Sequence, residues 1–435
     1  MKKLIDYINT KVLVKITSLK TAAILTRMIA GILTSKAIAV FIGAEGLALI
    51  GNLRNFVSSV QSIAVVGFYK GAVKYIAEFK NNTLRLSKTI STVYYIGFVS
   101  SIIVSLLCYF NAEKINNIIF PNYNNYAYVI KIFAIVLPFY CLNMFVFAIM
   151  NGFSKYKTLI IINIIGQILS VSITLLLIYQ NKINGALISV VIAESIIFLI
   201  TLVGIINRQN LIPLIQVKHV SFSYFKRLSS YSVMALFSAV LLPLVALVIR
   251  SYIIENIGYK DAGFWEAMTR ISKYYLMLVS SLMALYILPR FSEIDDVKEF
   301  RKEVFGFYKI IIPILALGLF LIYILKPAIV TLVFSDDFAP VEDLFLWQLL
   351  GDFVKVLSLV IAYQFLAKKM FWHYIVTETF LIIILYVTSI YFINMFGVKG
   401  AVIAHFVSYL MYYGVILLIF GSSLFGIDKG KGLKE

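Results

Sequence analysis

The chain has 435 residues, of which 61% are hydrophobic and 14% are charged, and its net charge is +18. Soluble domains are closer to half apolar and a quarter charged, so this composition excludes an ordinary soluble domain. A charge of this size suggests nucleic-acid binding in a soluble protein. Here the basic residues lie mostly between apolar runs, so we expect a membrane protein with no nucleic-acid partner.

The apolar residues form runs of roughly twenty residues, the length that crosses the hydrocarbon core of a bilayer as a helix. Because the runs do not alternate as barrel strands do, each must be helical to pair its backbone groups in lipid. The fold class predicted is therefore all-α and polytopic, with about twelve spans. In chain order the predicted spans are 19–41, 46–68, 88–109, 127–150, 158–179, 184–206, 227–253, 263–288, 304–324, 341–366, 373–394 and 400–421.

The loops between these spans differ in charge. Most Lys and Arg residues lie in the two tails and in every second loop, which by the positive-inside rule places both termini in the cytoplasm. The N-terminal segment is basic and amphipathic, and we predict an interfacial helix there. The predicted organisation is an interfacial helix at 1–18, a first bundle at 19–207, a cytoplasmic linker at 208–226, a second bundle at 227–421 and a cytoplasmic tail at 422–435.

An internal repeat supports the two bundles. Similar segments recur in order at an offset of about 215 residues, the mark of a duplicated architecture. The pairs are 43–56 with 259–272, 73–79 with 288–294, 118–126 with 332–340 and 183–190 with 398–405. With about six spans each, the two halves have the same orientation, which predicts a pseudo-two-fold axis along the membrane normal and a substrate site where the halves meet.

Several basic residues fall inside the predicted spans, where a central Arg or Lys costs roughly 2.5–3.5 kcal/mol on insertion scales. Snorkelling explains Lys131 and Arg250, which are near span ends. The others must face a wet cavity or a partner, and a cationic lining suits an anionic substrate, because Arg and Lys donate to phosphate oxygens. The candidate substrate-binding cations are Arg27, Lys36, Arg54, Arg270 and Lys273, and the candidate polar cavity residues are Asn52, Asn55 and Ser58.

Acidic residues also fall inside the spans. Glu266 precedes Arg270 by one helical turn and Asp352 similarly precedes Lys355, so each pair is a candidate for an ion pair. The alternative is that an acid couples transport to protons or sodium. The candidates for either role are Glu194, Glu266, Asp352, Lys355 and Glu378. Neither the histidines nor the cysteines have the spacing of a metal site, and we expect no cofactor.

Three stretches resemble a known family: FIGAEGLALIGNLRNF (41–56), GFYKGAVKYIAEF (67–79) and DLFLWQLLGDFVKV (343–356). They are similar to Wzx-type translocases, the O-antigen and enterobacterial-common-antigen flippases of the multidrug/oligosaccharidyl-lipid/polysaccharide exporter superfamily. The resemblance runs over nearly the whole chain. The residues that carry it are Gly43, Gly46, Asn52, Arg54, Lys74, Glu78, Trp347, Gln348, Gly351, Asp352 and Lys355.

The resemblance implies a V-shaped pair of helix bundles around a cationic cavity. It also implies an undecaprenyl-diphosphate oligosaccharide as substrate, moved from the cytoplasmic to the periplasmic leaflet of the bacterial inner membrane by alternating access. A polymerase and a chain-length regulator of the same pathway are then candidate partners.

Other classes of protein stay open. A multidrug or cation antiporter of the same superfamily would place acids in its cavity, and the excess of basic residues is unfavourable to it. A membrane polysaccharide polymerase would favour a long loop with catalytic acids or histidines. Peptidoglycan-precursor flippases are in the same class, but they usually have additional helices. The sequence has no GxxxxGK[ST] loop, which is unfavourable to ATP hydrolysis.

Overall fold

The computed structural model describes residues 2–206 and 215–426, and in these residues it contains helices and no β-strand. The chain divides into two compact units, Met1–Leu247 and Val248–Glu435. The first unit contains α1 (Lys2–Phe41), α2 (Gly43–Ala64), α3 (Phe68–Phe79), α4 (Thr83–Phe110), α5 (Ala112–Ile119), α6 (Ala127–Gly152), α7 (Tyr156–Ile206) and most of α8 (Phe222–Asn256).

The second unit begins with the last residues of α8. It continues with α9 (Tyr259–Leu282), α10 (Leu288–Glu293), α11 (Val297–Ile324), α12 (Lys326–Val333), α13 (Phe345–Ala367), α14 (Phe371–Phe396) and α15 (Val398–Phe425). A π-helical turn, Met283–Ile287, joins α9 to α10, and a 3₁₀ segment, Asp336–Leu344, precedes α13. Within this unit α13 packs against α9, α11, α14 and α15, and it carries much of the site described below.

The helices confirm a multi-pass membrane protein. Within the described residues, nine helices are long and apolar enough to span a membrane, or ten if the bent pair α2 and α3 forms one span. One of them, Tyr156–Gly204, has 49 residues and breaks at Lys182, where φ is 46° and ψ is −122°. Since about twenty residues suffice for a span, this helix is long enough for two. The predicted layout of about twelve spans is compatible with these helices and stays a prediction.

Local geometry supports the internal repeat. The side chain of Asn82 caps α4 by accepting a 3.0 Å hydrogen bond from the Arg85 N–H, and Asp296 caps α11 by accepting one of 3.2 Å from the Glu299 N–H. Side-chain oxygens at this position satisfy the first free N–H groups of a helix. A short helix and a 3₁₀ turn also precede both α6 and α13. The same succession of elements therefore occurs twice.

The described part of the linker lies on α4. The Gln216 N–H donates to Ser91 Oγ at 2.9 Å, and the Ser221 N–H donates to Thr92 Oγ1 at 3.1 Å. Helix α8 then starts at Phe222, earlier than the predicted 227, and Phe225 packs edge-on against Phe68 of α3 with 5.8 Å between ring centroids. The start of α8 thus packs with the first unit, and the division by packing falls inside α8, after the linker that the repeat indicates.

At the termini, α1 is one continuous helix from Lys2 to Phe41, where we predicted an interfacial helix followed by a separate span. The side chains of residues 1–20 lie outside the described residues, so the amphipathic face predicted for 1–18 stays a prediction. Residues 207–214 of the linker and 427–435 of the tail also lie outside the described residues.

Candidate functional site

A buried ion-pair network joins α8 and α9. Glu266 Oε2 accepts a hydrogen bond from Arg250 Nη2 at 2.5 Å, and Glu266 Oε1 accepts one from Arg270 Nε at 2.9 Å. The three residues are 2%, 0% and 3% exposed, respectively. The Arg250 guanidinium also lies over the Trp265 ring, 5.1 Å from its centroid. Because two guanidinium groups share one carboxylate, the network has a net positive charge, although each of its members is buried.

The prediction that Arg250 snorkels to the interface is wrong. Arg250 is fully buried and bound to Glu266. A charge inside the membrane is stable only when its partner and hydrogen bonds compensate for lost hydration, and Glu266 supplies both. The spacing of Glu266 and Arg270 correctly suggested an ion pair within α9. It could not show that a second arginine, on the preceding helix, reaches the same carboxylate.

The carboxylate of Asp352, which is 0% exposed, lies at the centre of a second network, between α9, α13 and α15. From α9 it accepts hydrogen bonds from Ser272 Oγ at 2.5 Å and from the Tyr275 hydroxyl. Gln348 Nε2, one turn earlier on α13, donates at 3.3 Å, and His405 Nε2 on α15 lies 3.0 Å from Asp352 Oδ1. The network thus holds together helices that lie far apart in the chain.

A glycine permits the contact between α13 and α15. A Cβ atom on Gly351 would lie 2.4 Å from His405 Cδ2 and 3.1 Å from the Cα atom of Phe406. The two helices therefore approach so closely at Gly351 that a larger residue would push them apart. This close approach is what brings the His405 ring to Asp352.

Lys355 has a different partner from the one its spacing suggested. Asp352 Oδ1 lies 3.0 Å from His405 Nε2, whereas Lys355 Nζ lies 5.1 Å from the centroid of the Tyr409 ring. On α14, Glu378 is 7% exposed and accepts a 3.5 Å hydrogen bond from the Tyr412 hydroxyl. Within the described residues, Asp352 and Lys355 therefore do not form the predicted ion pair, and the Lys355 ammonium group lies over the Tyr409 ring instead.

The candidate residues of α2 lie in different environments. Asn52 is 0% exposed and donates to the Ile119 carbonyl at 2.9 Å, so it ties α2 to the end of α5. Asn55 is 7% exposed, Arg54 is half-buried and Ser58 is exposed. Of the α2 candidates, Arg54 and Ser58 are therefore the residues that are not buried.

The remaining candidates also differ in exposure. Arg27 on α1 and Glu194 on α7 are both exposed. The positive charge of Arg27 is close enough to attract the Glu194 carboxylate. Lys36 is half-buried. Lys273 is exposed, whereas Arg270, three residues earlier, is buried against Glu266. Arg270 and Lys273, two of the candidate substrate-binding cations, therefore differ in burial.

One protein family matches most of the chain. The family model described as "Polysaccharide biosynthesis protein" matches residues 49–343, more than half of the 435 residues. The chain belongs to this family. The match begins within α2, before Arg54, and ends just before α13. It includes α9, which carries Glu266 and Arg270.

Individual proteins extend the comparison to nearly the whole chain. This member of the polysaccharide biosynthesis family is 27% identical over 413 residues to the "Lipid III flippase" of Escherichia coli (strain K12), and the match covers 93% of this chain and 97% of that protein.

Solved structures show the same fold. A multidrug resistance MATE family transporter of the MOP superfamily, in an inward-facing conformation, matches with a TM-score of 0.74 at 13% identity, covering 93% of this chain and 96% of that one. The lipid II flippase MurJ, in an inward closed conformation, matches with a TM-score of 0.62 at 15% identity, covering 97% and 94%. This member of the polysaccharide biosynthesis family therefore has the fold of these transporters.

Sequence reasoning missed several members of the two networks. The spacing of His405 fits no metal site, and no sequence motif singles out Ser272 or Tyr275. One signal was available, because Ser272 and Tyr275 are about one turn apart on α9 and can point to the same side of that helix. Nothing local could have indicated that His405 lies beside Asp352, since 53 residues separate them in sequence.

Proposed function

We propose that this protein is a flippase that moves a lipid-linked oligosaccharide across the membrane. The observation that carries the proposal is the match over 97% of the length of a protein named a lipid III flippase. The transporter fold over nearly the whole chain supports a transport function rather than an enzymatic one. The cation antiporter and the polymerase that the sequence left open have weaker support, because the relative matched over nearly its whole length is named a flippase.

The proposed substrate is an undecaprenyl-diphosphate-linked repeat unit of O-antigen or of enterobacterial common antigen. It would move from the cytoplasmic to the periplasmic leaflet of the bacterial inner membrane by alternating access, with both termini of the protein in the cytoplasm. A diphosphate diester carries about two negative charges, so an inside-negative potential favours outward movement by roughly 2.3 kcal/mol per charge per 100 mV. The protein's task is then to lower the barrier for the polar head group.

Basic side chains would supply the compensating charge. Arg27 and Lys273 are exposed, and Arg54 and Lys36 are half-buried, so none of the four is fully enclosed by the protein. Arginine offers paired donors to phosphate oxygens, and lysine offers a point charge. Arg270 is buried on Glu266, and we propose that it contributes through the net charge of that network.

No cofactor enters this proposal. Protons or sodium would couple the cycle, and the candidate acids are Glu194, Glu266, Asp352 and Glu378. A polymerase and a chain-length regulator of the same pathway are the proposed protein partners. The bilayer itself is the medium from which the substrate enters and into which it leaves.

The test is transfer of a lipid-linked oligosaccharide between leaflets of proteoliposomes that contain the purified protein. We expect transfer well above that of protein-free vesicles, and a loss of at least about tenfold in Arg54→Gln, the worth of one charged hydrogen bond. Lys114→Gln is the matched control, because Lys114 is an exposed residue of the short helix α5. Transfer no faster than in protein-free vesicles would contradict the proposed function.

A further inference from the structure

The Asp352 carboxylate is saturated with hydrogen-bond donors. Ser272, Tyr275 and Gln348 donate to its two oxygens, and His405 Nε2 lies 3.0 Å from Oδ1. An ionised carboxylate has about four lone-pair sites and no donor, so this set of partners suits the ionised form. A proton added to Asp352 would replace an acceptor with a donor, and at least one of these buried bonds would be lost. Asp352 is therefore built to remain an anion.

His405 is the member of the network that can change its charge. Its Nε2 faces Asp352 Oδ1 at 3.0 Å, and an ionised carboxylate can only accept, so the ring carries its hydrogen on Nε2. The other ring nitrogen, Nδ1, then holds the lone pair that can take a second proton. The His405 side chain is 16% exposed, whereas the Asp352 side chain is 0% exposed. A proton can thus reach the ring without entering the buried oxygen cluster.

Charged and titratable groups surround the His405 ring. Asp352 is in direct contact, and the nearest cation on α13, Lys355, lies over the Tyr409 ring rather than against the histidine. The Tyr409 ring itself packs on His405, with 4.8 Å between centroids. The titratable and charged groups around the site are Tyr275 of α9, Asp352 and Lys355 of α13, Glu378 of α14, and Tyr409 and Tyr412 of α15. On α11, the Tyr308 hydroxyl donates to the Leu357 carbonyl.

We propose that His405 is the residue that binds the coupling proton and that Asp352 is the fixed anion that holds it. The proposal rests on the proposed function, because it names the ion and the residue that couple the flippase. It also excludes sodium at this place, since a sodium ion would need the oxygen lone pairs that Ser272, Tyr275 and Gln348 already occupy.

Protonation of His405 would strengthen the contact between α13 and α15. With a neutral ring, one ordinary hydrogen bond connects α15 to α13. With a protonated ring, that bond joins two opposite charges in a water-poor site, and such bonds are shorter and roughly twice as strong. Because Ser272 and Tyr275 attach α9 to the same carboxylate, proton binding tightens α9, α13 and α15 together. Proton release loosens them, which gives the cycle a step that depends on pH.

The first test is the pH profile of oligosaccharide transfer in proteoliposomes, measured from about pH 5 to 8, where histidine changes charge. Wild type is expected to show a several-fold change in rate across this range. His405→Gln keeps a donor for Asp352 but cannot be protonated, so its rate should stay nearly constant. His373→Gln is the matched control, since His373 is exposed and stacks on Phe365 away from the acid, and it should keep the wild-type profile.

The outcomes separate the two proposals. An unchanged pH profile in His405→Gln would overturn the role of His405 while leaving the flippase intact. Rates that follow sodium at constant pH in wild type would overturn the choice of ion. An absence of transfer by wild type at every pH would instead refute the proposed function, whatever the role of His405.

A second measurement does not depend on a variant that transports. The chain has 3 histidines, so the ring nitrogens of His405 can be assigned in labelled protein by comparison with His219→Gln and His373→Gln. We expect the His405 ring to titrate with Nε2 protonated throughout and Nδ1 gaining a proton as the pH falls. A ring that stays neutral down to about pH 5, below the usual range of histidine, would overturn the proposal.

Discussion

Arg250 Nη2 lies 2.5 Å from Glu266 Oε2, which binds the end of α8 to α9. Arg250→Gln would leave Glu266 with one arginine partner, Arg270, and would remove a buried hydrogen bond between charged groups, which is worth about 1.5–3 kcal/mol. We therefore expect the free energy of unfolding of the variant to fall by about that amount. Thermal unfolding of the purified protein in detergent is the measurement.

The control for this change combines Arg250→Met, Glu266→Met and Arg270→Met, which removes all three charges of the network. Because apolar side chains of similar volume in place of a buried ion-pair network are often neutral for stability, the triple variant should recover much of it. The ion-pair interpretation is wrong if Arg250→Gln unfolds at the wild-type temperature.

The buried and exposed cations of α9 should respond differently to mutation. Arg270→Gln removes a buried partner of Glu266, so it should lower both the unfolding temperature and transfer. Lys273→Gln changes an exposed residue, so it should lower transfer while the unfolding temperature stays within about a degree of wild type. Both quantities are measured on the same preparations. Equal losses of stability in the two variants would contradict the difference in burial.

Gly351→Ala should separate α13 from α15. The added methyl group would overlap the His405 ring and the Phe406 backbone, and overpacking of this kind costs about 1–3 kcal/mol. We expect a lower unfolding temperature and a weaker pH dependence of transfer, because His405 loses its contact with Asp352. Gly318→Ala is the control: nothing lies within 4 Å of the new methyl group, and alanine stabilises a helix interior by roughly 0.5–1 kcal/mol. A Gly351→Ala protein as stable as Gly318→Ala would refute the close approach.

Lys182 and Gly397 occupy equivalent positions in the two halves of the repeat, and each interrupts a helical segment. Gly397 has φ 61° and ψ −145°, and Lys182 has φ 46° and ψ −122°. Residues other than glycine rarely adopt this backbone conformation. Such strain costs of order 1–3 kcal/mol, so Lys182→Gly should raise the free energy of unfolding. The reciprocal variant, Gly397→Ala, should lower it. Thermal unfolding tests both, and a destabilised Lys182→Gly would show that lysine is not strained there.

Helix α4 should protect the described part of the linker from proteolysis. Ser91→Ala and Thr92→Val together remove the acceptors for the Gln216 and Ser221 N–H groups. We expect limited proteolysis after Lys218 to become faster in the double variant, since local opening exposes the backbone. Ser172→Ala, an exposed serine that bonds only to its own helix, is the control. Cleavage at the wild-type rate would mean that these hydrogen bonds do not hold the linker.

Much of the fold follows from local patterns. Apolar runs of about twenty residues predicted the membrane helices, because backbone groups in lipid must pair within the segment. The duplication was visible in four weak matches, and the caps at Asn82 and Asp296 and the breaks at Lys182 and Gly397 agree with it. Interactions within a few residues of each other specify these features, so they can be recognised without a structure.

The charge networks depended on information that the sequence does not contain. Glu266 and Arg270 share a helix, and their pairing follows from their spacing. Arg250 on α8 and His405 on α15 reach their acids only because particular helix faces meet. Composition and periodicity by themselves determined that the protein is a helical membrane protein with too many intramembrane cations to face lipid. Tertiary packing decided which of those charges are buried against a partner and which are exposed, because that choice depends on contacts between helices far apart in the chain.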